Sequence, residues 1–414
     1  MIQVQEARKR VQDICAGLNL GGDRIETVSL ENSLGRVMAE TLTLTRDYPP
    51  FDRAMRDGYA LQSIDLDSVP TILTCVGETR AGASPTLSIL SRQAIRIMTG
   101  AALPGGADAV VMVEDTVDLG GDQIQFQKSV SVESNIARKG AEKKAGATLF
   151  PAGIRIGPPQ LALLALEGKA NCLVYRSPRV SILATGDEIV GIEKKPGAFQ
   201  IRDSNSYSLH AQCQVEGCRT RLMGIAPDQA PVLREKILAG FESSDMLILS
   251  GGVSLGKYDF VKPVLKDLGA VVHFDSISLR PGKPTVFATL GEKFFFGLPG
   301  NPVSTFVTFL LFVRPVLAAM QGQSWDSMPL LTATLAEPVV EKQGRTALLP
   351  ARISQEQQGL TVFPVAWKGS ADLFALSAAN GLFIVPEQVR ELKAGTPVEI
   401  FLFGDLQSVL LPHF

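Results

Sequence analysis

The sequence predicts a multidomain protein that combines a three-layer α/β domain, built on a mainly parallel sheet, with two β-rich regions. Three observations carry this. From about Val174, compact apolar runs (VSILATG, LILSGG, FFFGLPG) alternate with stretches at helical spacing (SNSYSLHAQCQVEG, QAPVLREKILAGF, FVKPVLKDLG, PVSTFVTFLLFV). That is the pattern of strands buried on both faces with helices crossing between them. From Asp47 to about Phe150, short β-forming runs such as TILTCVG, QAIRIMTG and DAVVMVED are separated by turn residues, as in LPGGAD and DLGGDQ. Beyond Gln321 helical spacing stops, and LLTATLAEP, TALLPARIS, LTVFPVA, GLFIVP and TPVEIFLFG read as a terminal β-barrel or sandwich.

The chain opens on Ile2, Val4, Ala7, Val11, Ile14 and Leu18 at roughly helical spacing with charges between them, an amphipathic helix and not a signal peptide. A second helical stretch, GPPQLALLALEG, follows the first β-rich region. The most apolar segment, VSTFVTFLLFV, reaches Arg314 and Pro315 well short of the roughly 20 residues a membrane span needs, so it reads as a buried or interface helix. With 414 residues, 45% of them apolar, the chain exceeds one typical domain and can fill several cores. Forty Lys+Arg against 42 Asp+Glu mark neither a nucleic-acid nor a membrane binder, so any anion site must be local. Five cysteines without a CxxC and three scattered histidines argue against a disulfide framework and a structural zinc, and suggest the reducing cytoplasm.

In an open parallel sheet, ligands settle at the carboxyl ends of the strands. VSILATGDEIV sets Thr185, Gly186, Asp187 and Glu188 past one strand; LILSGGVSLGKYDF sets Ser250, Gly251, Gly252, Ser254 and Asp259 past another; FFFGLPGNPVS sets Gly297 to Ser304 past a third. All three are expected to face one crevice. After Pro299, Asn301 at the N-cap and Pro302 at the first helical position suit a helix start, whose N–H groups and dipole favour an anion. Arg280 and Lys283, on the preceding RPGK loop, add donors for a phosphate. Any one such loop could be a plain turn with solvated cations, but three ending in one sheet favour a ligand. Gly251 to Lys257 (GGVSLGK) follows a P-loop for seven positions, yet Tyr258 stands where a Ser or Thr must ligate magnesium, which argues against a P-loop kinase. Asp187, Glu188, Asp228 and Asp259 bring carboxylates to the same strand ends and, beside phosphate, suit magnesium. The commoner fate of a lone loop Asp is a helix cap or a solvated charge. His210 and Cys213 lie three apart on a helix without further ligands, and packing is the preferred reading.

The segments PPFDRAMRDGYAL, IRIMTGAALPGGADAVVMVEDT, ATGDEIV, IRDSNSY, SGGVSLGKYDF, RPGKPTVF and FGLPGNPVSTF occur in the order found in the molybdopterin molybdenumtransferases, the MoeA family that includes the E domain of gephyrin. The resemblance spans nearly the whole chain. It implies an elongated linking region (1–46 and 147–173), an inserted β-rich domain (47–146), an α/β domain like the molybdopterin adenylyltransferases (174–321) and a C-terminal β-barrel (322–414). It also implies insertion of molybdate into adenylylated molybdopterin, with release of molybdenum cofactor and AMP, and magnesium held by Glu188 and Asp259. Asp57 resembles the family's catalytic aspartate; Thr99 and Glu142 match other active-site positions, and Asp228 and Ser370 match functional positions. The implied assembly is a cytoplasmic homodimer in which the β-rich domain approaches the partner's crevice, with transient contacts to the adenylyltransferase and to apo-molybdoenzymes. Two departures bear on metal preference and rate. Gly140-Ala141-Glu142 stands where the family usually reads GED or GSD, and Arg280 where Lys is common. The rival readings are an enzyme that adenylylates molybdopterin, because the α/β domain has that character, and a non-catalytic dimeric scaffold of the gephyrin type.

Overall fold

Side chains that alternate between two faces build the central sheet of the larger of two units. In the computed structural model, which describes residues 1–253, 260–325, 330–357 and 359–403, one unit holds Met1–Ala39, Gly153–Leu161 and Ala170–Phe414, the other Glu40–Ala152 and Ala162–Lys169. The central sheet orders its strands Arg219–Ala226, Arg179–Thr185, Met246–Ser250, Lys293–Leu298, Val286–Leu290 and Val271–Phe274. The first four run parallel and the last two are added antiparallel. Along these strands Val180, Ile182, Met246, Ile248, Phe294 and Phe296 point into one core, which takes Leu209 and Cys213 of the helix Asn205–Val215, the helical run from Val303, and Ala7, Val11 and Cys15 of the opening helix Val4–Cys15. Leu183, Leu247, Leu249 and Phe295 point the other way, onto Leu233, Ile237 and Phe241 of Ala230–Ser243 and Val264 and Leu265 of Val261–Asp267. A period of two therefore feeds both layers from unbroken apolar strands. Each such side chain fully buried is worth about 1.5–3 kcal/mol.

The apolar run after Asn301 continues as an α-helix Pro302–Thr308, a π-helical stretch Phe309–Val313 and an α-helix Arg314–Ala319. By length and composition Pro302–Ala319 could cross a membrane, but it is 78% buried inside the protein, so of core and interface it is the core that takes it. At the base of the strand Met246–Ser250 sits Asp245, 7% exposed. Arg176 donates to it through both terminal nitrogens (3.0 and 3.1 Å), and Arg179 through its backbone N–H (2.8 Å) and Nη2 (3.1 Å). Burial acts to raise this carboxyl, but the hydrogen bonds from Arg176 and Arg179 outweigh it and hold the group well below the usual carboxylate range.

Five C-terminal strands close on themselves. Thr346–Glu356 pairs with both Gly359–Pro364 and Gly381–Val385, and Leu331–Leu335 and Pro397–Leu402 complete the ring. Ala333, Leu349, Ile353, Val362, Phe383 and Ile400 fill it. This is a barrel, not a sandwich, and closure removes the edges that an open sheet would expose. The short strand Leu279–Arg280 runs parallel beside Thr346–Ala347. One element departs from the all-β reading of this region, the helix Leu373–Ser377, capped by Asp372 accepting from Ala375 N–H at 3.1 Å. Five residues are too few to leave a helical period in the sequence, and the cap alone marks them.

The smaller unit carries a six-stranded sheet ordered Ala109–Met112, Gly58–Leu61, Gln93–Ile97, Thr71–Thr79, Gln123–Phe126 and Thr116–Gly120. Tyr59, Leu61, Ala94, Ala109 and Val111 face one cluster, whereas Ala60, Ile95, Ile97 and Val110 face another. Where both faces are covered, as along Gly58–Leu61 and Ala109–Met112, the strands read as continuous apolar runs, whereas the outer strand Gln123–Phe126 alternates Gln with buried Ile124 and Phe126.

Candidate active site

Three parallel strands of the α/β sheet end at Thr185, Ser250 and Leu298, and their loops line one cavity of about 440 Å³, as expected of a crevice at the carboxyl edge. Thr185, Gly186, Glu188, Asp228, Ser250, Gly251, Gly252, Pro299, Asn301 and Pro302, all anticipated from sequence, are among its lining residues. The loops approach closely: a Cβ on Gly251, whose φ is +92°, would lie 2.3 Å from the Thr185 carbonyl oxygen, so only glycine fits there. Thr185 Oγ1 donates a hydrogen bond to Asp228 Oδ1, which turns that carboxylate toward the first loop. Asp187 is exposed and does not line the crevice, though its Oδ1 lies 3.5 Å from Asp228 N.

Asn205 was not foreseen. Its amide nitrogen donates to Ser250 Oγ (2.9 Å) and to the Gly300 carbonyl (2.7 Å), tying the second loop to the third. A half-buried amide of this kind reveals its role only through its partners, and the sequence offers no period or spacing that names them. Asn301 begins the helix Pro302–Thr308 but does not cap it; its amide turns to Ser370 Oγ at 2.8 Å, and Val303 N–H donates to the Ser370 carbonyl at 3.0 Å. Ser370, which follows the barrel strand Gly359–Pro364, thereby braces the third loop, and Ala371 beside it lines the crevice.

The expected cations are placed differently. Arg280 does not line the crevice: its Nη1 is paired with Glu341, and both line a separate cavity with Lys342 and Arg390. The physical reason is that Glu341 keeps only 8% of its side chain exposed, and a carboxylate so buried needs a paired cation. Lys283 is exposed and lies outside the lining, though its neighbour Pro284 belongs to it. Arg202 does line the crevice; it sits inside the IRDSNSY segment but carried no signal of its own. Ser254 and Asp259 lie outside the described residues, as do Gly256, Lys257 and Tyr258 of the P-loop-like run. His210 Nδ1 is hydrogen-bonded to Thr220 Oγ1 at 2.5 Å and Cys213 is buried in the core, and among the described residues no group of three or more His, Cys, Asp and Glu is arranged to hold a metal.

In the smaller unit, Asp57 precedes Gly58, where a Cβ would lie 1.8 Å from the Val111 carbonyl oxygen. Strand packing at this glycine sets the turn from which Asp57 projects into solvent. Thr99 N–H donates to Asp57 Oδ1 at 2.6 Å. That bond, with the Thr99 hydroxyl, holds the carboxyl below its ordinary range, so at neutral pH it is an anion. Glu142 is instead joined to Arg53 at 2.9 Å.

The fold and crevice define a class. The family model described as a probable molybdopterin binding domain matches residues 181–319, that of the MoeA N-terminal region (domain I and II) residues 2–168, and that of the MoeA C-terminal region (domain IV) residues 332–403. The molybdopterin molybdenumtransferase of Haemophilus influenzae is 35% identical over 384 residues, 92% of this chain and 94% of its own; that of Staphylococcus aureus (strain COL) is 33% identical over 383 residues, 91% and 90%. Two solved structures of the molybdopterin biosynthesis MoeA protein from Pyrococcus horikoshii superpose with TM-scores of 0.81 and 0.82, at 32% and 29% identity, covering 98% and 97% of this chain and 100% of theirs. The chain belongs to the molybdopterin molybdenumtransferase (MoeA) family.

Proposed function

We propose that the protein is a transferase of molybdenum cofactor biosynthesis that inserts molybdate into adenylylated molybdopterin and releases molybdenum cofactor and AMP. The observation that carries this reading is the convergence of three strand-end loops on one crevice in a chain of this family. Thr185, Gly186, Ser250, Gly251 and Gly252 form the wall that receives the nucleotide end of the substrate, and Pro299, Asn301 and Pro302, braced by Ser370, form the facing loop. Lys283, exposed and next in sequence to the lining residue Pro284, serves as a cation at the crevice's edge; Arg280, engaged by Glu341, is left out. Asp57 is an ionised acceptor placed to assist oxygen exchange at molybdate, with Thr99 fixing it. Glu142, paired with Arg53, is the third candidate in that unit.

Magnesium binds through one or two carboxylates plus substrate phosphate oxygens and keeps several waters, so Glu188 and Asp228 are a fitting donor set, with Asp259 as the further ligand the family resemblance implies. When bound there it would neutralise charge on the bridging phosphates. Purified protein is expected to release AMP from adenylylated molybdopterin only when molybdate is present. Consumption of ATP, or AMP release indifferent to molybdate, would replace this reading.

The assembly we propose is a cytoplasmic homodimer in which Asp57 of one chain completes the crevice of the other; its transient contacts are with the adenylyltransferase that supplies the substrate and with apo-molybdoenzymes that take the product. Two features support it: Asp57 and the crevice residues belong to different units of the chain, and twofold closure is the commonest form of oligomer. Mixing Asp57→Ala with Glu188→Ala under subunit exchange is expected to restore activity, because a mixed dimer then has one site free of both defects. A mixture that stays inactive, with mixed dimers verified by mass, would show that each chain uses its own residues.

A further inference from the structure

The crevice is lined by oxygen more than by cations. Glu188, Asp203 and Asp228 all contribute to its wall, and Arg202 is the single Lys or Arg among its described lining residues. An anionic ligand entering it meets three carboxylates and one guanidinium. Arg202 is also prepared for such a ligand. Its short strand, Ile201–Arg202, pairs in parallel with Ile189–Val190, and its Nε donates to the carbonyls of Ile192 (3.1 Å) and Lys194 (3.2 Å). These bonds hold the guanidinium by its inner nitrogen and occupy Nε alone. Among the described residues no carboxylate forms an ion pair with it, and both terminal nitrogens are left without a protein partner. A guanidinium held through Nε, with its two amino groups open, is suited to grip two oxygens of one phosphate, with less conformational freedom to lose than a lysine. Arg280, by contrast, already has its carboxylate partner in Glu341.

We propose that Arg202 is the crevice's own phosphate-binding cation and sets its preference for phosphorylated over neutral ligands. The proposal rests on reading the crevice as the site of the substrate's nucleotide end. Asp203, next in sequence, is spent locally: its Oδ1 accepts from Ser206 N–H at 3.0 Å at the start of the helix Asn205–Val215. It holds the segment in place and leaves Arg202 facing the cavity.

The test compares AMP and adenosine binding by equilibrium dialysis at fixed ionic strength, using the full chain, Arg202→Ala, Arg202→Lys and, as a charge control, Lys195→Ala. Lys195 is exposed in the same loop but does not line the crevice. Arg202→Ala is expected to weaken AMP about tenfold or more, in line with loss of a charge-assisted contact, and to erase most of the preference over adenosine. Arg202→Lys should recover part of it, and Lys195→Ala should stay within about twofold, as a screened surface charge does. Unchanged AMP affinity in both Arg202 variants overturns the assignment. An equal loss of AMP and adenosine also overturns it, since Arg202 would then only support the loop. Failure of the unmodified chain to bind AMP would instead remove the nucleotide reading of the crevice, a result distinct from the other two.

Discussion

An Asp57→Asn chain is expected to bind AMP as tightly as the unmodified chain while molybdate insertion falls by about 10²–10⁴-fold, the usual worth of a positioned acid–base group. The substitution keeps the size of the side chain and an oxygen able to accept from Thr99 N–H, which now reaches Asp57 Oδ1 at 2.6 Å. It removes the charge. Because that hydrogen bond holds the carboxyl below its ordinary range, Asp57 is a carboxylate throughout the neutral region, and the acid limb of the pH–rate profile should lie below the pH at which a free aspartate protonates. A group that acts on the oxyanion is silent in nucleotide binding, so the effect should lie in the insertion step alone. Loss of AMP binding together with insertion, in a variant that melts like the parent, would show that Asp57 acts on the pterin nucleotide instead.

Asp245→Ala tests the frame that holds the crevice. The carboxylate at the base of the central strand Met246–Ser250 satisfies Arg176 and the backbone of Arg179 at the entrance to the neighbouring strand. Removing it leaves Arg176, only 18% exposed, without its counter-ion. Loss of one partner of a buried pair costs about 3–5 kcal/mol, and the low end applies because Arg179 keeps 51% of its side chain in water. A melting temperature lower by roughly 6–12 °C at pH 7 follows for a domain of this size. The pH dependence has a definite sign. The folded-state carboxyl is depressed relative to the unfolded one, so its contribution is complete above an ordinary aspartate pKa of about 3.9 and disappears as pH falls through the lower folded value. The gap between parent and variant should therefore narrow as the pH is lowered below about 4. Equal melting at pH 7, or a gap that does not change on acidification, would remove Asp245 from this role.

What the sequence determined by itself is the part encoded by near neighbours. Continuous apolar runs broken by helical stretches define the three-layer domain, because a strand covered on both faces has no polar side to show, as Val180 to Thr185 and Met246 to Ser250 demonstrate. The loops after those strands, and the one after Leu298, were legible as one crevice because the ends of parallel strands lie together whatever the side chains do. The pairing of individual side chains was decided elsewhere. Arg280 is 61 residues from Glu341, and Asn205 is 45 from Ser250 and 95 from Gly300. No local period relates residues so far apart, and which cation meets which anion depends on where the barrel strands close beside the α/β domain. Glu341, buried at that junction, claims Arg280 through the cost of leaving a carboxylate unpaired. Arg280 is thereby kept out of the crevice, and it is the fold, not a local period, that sets Arg202 and its neighbour Asp203 beside Glu188 and Asp228.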